Sequence, residues 1–200
     1  MKTSSIIRVL DSIYGKKKSF SEDELHSIDT LLLSRLGFDN KVLTVDFNDL
    51  TNFNNLSSLT IDSCMLDKSS IDIISSLKTL KKISFYNCEI VEDIYESFNK
   101  IKVNVLRLGN FEFDISRLTG SYEKLILEGI NLKKYSCTVN SLDIFNCEIN
   151  DIDELLECNF EELIISSSQY LVNQLKFDDC GRKIVVMEDN GQFISKKVGF

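Results

Sequence analysis

Leu80-Lys-Lys-Ile-Ser-Phe-Tyr-Asn-Cys-Glu-Ile90 decides how the chain is read, because its frame returns along most of the sequence. The frame is an apolar residue, two free positions, an apolar residue, a free position, an apolar residue, two free positions, Cys or Asn, a free position and an apolar residue. It recurs in Leu56-Ser-Ser-Leu-Thr-Ile-Asp-Ser-Cys-Met-Leu66 and in Val139-Asn-Ser-Leu-Asp-Ile-Phe-Asn-Cys-Glu-Ile149. The period-two centre of each copy predicts a strand with one apolar face. Its second apolar position gives a register of Leu43, Leu59, Ile83, Leu106, Leu125, Leu142, Leu163 and Ile184. The first copy is expected at Val42–Leu50, with Asn48 in the Cys position. The stretches between copies vary in length, as expected of repeats that contact only their neighbours. Ser70–Leu77 and Glu92–Phe98 are expected as helical returns, and the shorter returns as extended or 3₁₀ segments.

These copies resemble the leucine-rich repeat pattern L-x-x-L-x-L-x-x-N/C-x-L, whose period is about 20–29 residues. The resemblance implies an α/β leucine-rich-repeat solenoid with a parallel concave sheet, its strands joined by right-handed crossovers. Ile61, Phe85, Leu108, Leu127, Ile144 and Ile165 are then expected inside, and the intervening positions on the concave face. Tyr86, Arg107, Ile126, Phe145, Ile164, Val185 and Met187 are the candidate partner-binding residues there. From Ile126 onward that face gathers large apolar groups, a composition that marks contact with a partner. Cysteine at the ninth frame position is similar to the cysteine-containing repeats of F-box substrate receptors of ubiquitin ligases. The chain has no proline, however, so residues 1–40 lack the Leu-Pro of a typical F-box.

The flanks depart from the frame. Ile6, Leu10, Ile13 and Tyr14 share a helical face that Gly15 ends. Ser21-Glu-Asp-Glu24 is a capping box, and Leu25, Ile28, Leu32 and Leu36 predict a second helix ending at Gly37. Residues 1–40 are thus expected as a helical cap, 41–180 as repeats and 181–200 as a terminal hairpin, all in one domain. Asn190-Gly191 between Lys183–Glu188 and Gln192–Val198 is the hairpin signal. Its last strand would cover the final parallel edge.

The 200 residues are 43% hydrophobic, enough for a sizeable core, and their net charge of −8 argues against a surface built throughout for nucleic acid. No run reaches the roughly 18 apolar residues of a membrane span. The six cysteines lack C-x-x-C spacing, so reduced structural thiols and an intracellular, cytoplasmic setting are expected. A small polar side chain at the repeat position of Cys64, Cys88, Cys147, Asn48 and Ser168 can bond the turn backbone, while Phe111 and Ile130 break that series. The one histidine, His26, has no evident partners for metal or acid–base chemistry. Phosphate loops, dinucleotide fingerprints, zinc-protease motifs and EF-hand loops are missing from the sequence. Glu161-Glu162 and Asp178-Asp179 are expected as solvated charge.

Together these features point to a non-catalytic protein–protein interaction module without cofactor or metal. Two other readings stay open. One is a structural or regulatory subunit of a large RNA-containing assembly such as the ribosome, with local phosphate contacts from Lys16–Lys18, Lys81-Lys82, Lys133-Lys134 and Lys196-Lys197. The other is a ubiquitin-ligase substrate receptor lacking a recognisable F-box.

Overall fold

Alternating apolar residues make the strands of this α/β chain, whose computed structural model describes residues 20–34, 45–188 and 193–198. Two compact units divide the chain, residues 1–103 and 104–200.

In the first unit Glu22–His26 forms helix α1, and the capping box is made in full: Glu24 donates its amide to Ser21 Oγ while Ser21 donates its amide to Glu24 Oε2. The helix then stops, contrary to the expected run to Gly37. Thr30–Ser34 is strand β1, parallel to β2 (Ser58–Asp62), with Leu31 opposite Leu59 and Leu33 opposite Ile61. Leu31 and Leu33 are 2% and 0% exposed whereas Leu32 is 49% exposed. That is the period of a strand; two core partners on β2 outweigh the local helical pattern that Leu25, Ile28 and Leu32 share. Leu36 and Gly37 lie outside the described residues, as do the helix expected over residues 6–14 and the lysines at 16–18.

The expected first strand at Val42–Leu50 is corrected in the same way. Residues 42–44 lie outside the described residues, and Phe47–Asn52 is a 3₁₀ helix capped by Asp46, which accepts from the amide and the side chain of Asn48. β2 is followed by the short β3 (Met65–Leu66) and helix α2 (Lys68–Ser75), where Asp67 and Ser70 form a second capping box. β4 (Lys82–Tyr86) lies parallel to β2 with Ile83 opposite Leu59, and β5 (Glu89–Ile90) pairs with β3. Helix α3 (Tyr95–Phe98) places Phe98 against Phe85, their ring centroids 5.3 Å apart.

The second unit carries β6 (Val105–Gly109), β7 (Ser121–Glu128), β9 (Thr138–Phe145), β11 (Asn159–Ser166) and β12 (Lys183–Met187), adjacent in that order and all parallel. Leu106, Leu125, Leu142, Leu163 and Ile184 stand side by side across them, as do Leu108, Leu127, Ile144, Ile165 and Val186. All ten are buried, so the inward parity is the expected one. The returns are a 3₁₀ turn (Ile115–Arg117), the short strands β8 (Asn131–Leu132) and β10 (Glu148–Ile149), and helices α4 (Ile152–Glu157), α5 (Ser167–Val172) and α6 (Gln174–Asp179). β13 (Phe193–Val198) runs antiparallel to β12 with a register shift between Ile184 and Val186. The turn expected at 189–191 lies outside the described residues. Among those residues no helix is long and apolar enough to cross a membrane.

Strand ends repeat one local device in both units. The residue after the strand has positive φ: Ser63, Asn87, Asn110, Gly129 and Asn146. The left-handed residue turns the chain sharply, so Ser63, Asn110 and Gly129 can each donate an amide to the next strand's last carbonyl, Tyr86, Glu128 and Phe145 respectively, at 2.8–3.0 Å.

Candidate functional site

The outward side of the second unit's strands is a small lattice of three rows. One row holds Lys124, Ser141, Glu162 and Lys183; the next holds Arg107, Ile126, Asp143, Ile164 and Val185; the third holds Glu128 beside Phe145 and Ser166 beside Met187. Neighbouring strands lie about 4.8 Å apart, so side chains in a row touch directly and those one row over touch diagonally. Six of the seven candidate residues fall on this face. Ile126, Phe145, Val185, Met187 and Arg107 are half-buried, and Ile164 is buried at 9% exposure. Tyr86 belongs to the first unit, where it is half-buried opposite Asp62.

The apolar residues are not a continuous patch. Asp143 stands between Ile126 and Ile164, 5% exposed, with Lys124 Nζ at 2.7 Å and Ser141 Oγ donating at 3.1 Å. Burial raises the Asp143 pKa above the ordinary carboxylate value, opposed by the Lys124 ammonium and the Ser141 hydroxyl. Arg107 meets Glu128 at 2.8 Å, and Lys183 pairs with Glu162. Each of these charges therefore has its counter-ion within the face. The sequence held the residues, but their pairing depends on which strands adjoin and in what register. Glu162, expected as solvated charge, is one of these partners. Asp178, expected likewise, accepts the Tyr170 hydroxyl.

The cysteines at strand ends act on backbone. Sγ of Cys64, Cys88 and Cys147 donates to the carbonyl two residues earlier, Asp62, Tyr86 and Phe145, at 3.3, 3.1 and 3.5 Å. Burial pushes the Cys88 thiol up to about 12 and the Cys147 thiol up to about 11, so both are protonated at neutral pH. Phe111 and Ile130 follow the same turns, Phe111 edge-on to Phe113 at 5.8 Å and Ile130 buried. Asn48 and Ser168 are corrected: Asn48 lies in the 3₁₀ helix and Ser168 in α5, its Oγ 3.2 Å from Ser166 Oγ. His26 Nε2 lies 2.7 Å from Asn54 Nδ2. Among the described residues no three of His, Cys, Asp or Glu converge as a metal site would require.

The candidate lysines are dispersed. Lys134 meets Glu157 at 2.5 Å, while Lys81, Lys82 and Lys133 are exposed. Lys196 and Lys197 fall on β13. No family model, curated protein or solved structure matches this chain.

Proposed function

We propose that the chain is a leucine-rich-repeat type interaction module that binds another protein through the outward face of β7, β9, β11 and β12 and performs no catalysis. The repeat frame supports the family reading, together with the recurrent left-handed residue and the thiol-to-carbonyl bonds at the strand ends. One observation carries the site: half-exposed Ile126, Phe145, Val185 and Met187 are set among charges that already satisfy one another. Such a surface offers apolar anchors without requiring a partner to supply counter-ions, the arrangement of an interface core with fixed polar surroundings.

Phe145 and its chain neighbour Ile144 separate binding from folding. Ile144 is fully buried, so Ile144→Ala should cost roughly 2–5 kcal/mol of stability. Phe145→Ala and Met187→Ala should melt close to the wild type. Each should weaken capture of the partner recovered by affinity purification from source cells, by about 2 kcal/mol if the side chain is an anchor. Undiminished capture by both well-folded variants would remove the face from consideration.

A further inference from the structure

A cleft of about 210 Å³ opens in the first unit, and none of its lining residues belongs to the face described above. Its floor is Ile74, at the end of α2, with Leu80, Ile101 and Val103; all four are buried core residues whose edges the cleft uncovers. Its rim carries Lys78 and Lys102, both exposed. Neither lysine has a carboxylate partner among the described residues, a state shared with Lys68, Lys81, Lys82 and Lys133, whereas Lys100, Arg107, Lys124, Lys134, Lys176 and Lys183 each have one; what sets Lys78 and Lys102 apart is that they flank one apolar opening. In a chain with 31 acidic and 23 basic residues, two unpaired ammonium groups at one apolar opening form a local excess of positive charge.

We propose that this cleft binds a small amphipathic anion, its short apolar body on Ile74, Leu80, Ile101 and Val103 and its head group between Lys78 and Lys102. The size sets the body: at about 30 Å³ for each water-sized group, the cleft holds roughly seven heavy atoms. The charge sets the head. Lysine ammonium groups are mobile point charges that suit a carboxylate or a phosphate monoester equally, without the planar fork of arginine.

The full chain can be titrated with sodium octanoate and, separately, hexyl phosphate, following methyl resonances of Ile74, Leu80, Ile101 and Val103 by NMR, with 1-octanol as the uncharged control. Octanoate or hexyl phosphate should shift those methyls with a Kd of about 1 mM or tighter, and whichever binds more tightly identifies the head group. Lys78→Gln combined with Lys102→Gln should weaken the anion about fivefold or more and leave octanol unchanged. Lys81→Gln combined with Lys82→Gln makes the same change in net charge outside the cleft lining and should leave anion affinity intact. All four positions are exposed, so both variants are expected to fold. Methyls unmoved by both anions at about 10 mM, ten times the expected Kd, would overturn the proposal. Equal affinity for octanol and the anions, or equal loss in the two lysine variants, would overturn it as well.

Discussion

Gly129 shows how much of a repeat is settled by one residue. Its φ is +59°, and a Cβ added there would stand 2.5 Å from Asn110 Oδ1, the side chain of the corresponding left-handed residue one strand earlier. Two terms oppose any other residue: the left-handed backbone, at about 1–2 kcal/mol for an L-residue with a side chain, and the need to displace Asn110. Gly129→Ala should therefore lower stability by about 1–2 kcal/mol or somewhat more. Adding Asn110→Gly, which removes both the obstructing side chain and the strain at its own φ of 57°, should recover part of the loss. Denaturant melts of the two singles and the double give the coupling directly; additive single effects would show that the two positions do not meet. The trace of this device in the sequence is the Ser, Asn or Gly ahead of each Cys, Phe or Ile at the ninth frame position. The Lys124–Asp143 pair, by contrast, was out of reach, since residues on two strands become neighbours only once the register is known.

Strands that alternate apolar and polar residues were legible to the residue. Leu59 and Ile83 pair as the frame aligns them, and so do Leu106, Leu125, Leu142, Leu163 and Ile184. For Leu59, Ile83, Leu106 and Leu142, whose strands alternate, a slip by one would turn the core face to water; the apolar runs around Leu125, Leu163 and Ile184 take their register from the repeat frame instead. β1 failed for the opposite reason. Thr30-Leu-Leu-Leu-Ser34 has three leucines in succession, which fit a helix or a strand, and it follows a strong helix start at Ser21. What decides is burial against β2, a partner remote in sequence. The helix and strand readings make opposite claims about Leu32. In the strand Leu33 is inside and Leu32 is half in water, so Leu33→Ala should cost about 2–5 kcal/mol. Leu32→Ser should stay within about 0.5 kcal/mol. Chemical denaturation of the pair decides: a larger loss at Leu32 than at Leu33 would restore the helix that the apolar stripe suggested.

Apart from Asp143, the buried ionisable groups among the described residues are thiols and phenols, and they set a direction for the alkaline response. Burial pushes Cys88 and Cys137 to about 12 and Cys147 to about 11, against an ordinary thiol value of 9.0. It raises Cys158, Tyr122 and Tyr135 in the same sense. A group whose folded pKa lies above its unfolded value keeps its full contribution below the unfolded pKa. As pH rises past that point the unfolded chain releases the proton first, and stability falls until the folded pKa is reached. The window here runs from about pH 9 to pH 12. Every thiolate formed also adds to a net charge of −8, so repulsion acts in the same direction. Thermal melts from pH 7 to 11 should accordingly show a Tm that holds to about pH 8.5 and then falls steeply. Cys137 is fully buried on the approach to β9, and Cys137→Ala should make that alkaline fall shallower while leaving the neutral Tm lower through the lost sulfur packing. A wild-type Tm unchanged through about pH 10.5 would mean that these thiols ionise as readily in the folded chain as in the unfolded one, and so are not enclosed in the way the repeat turns enclose them.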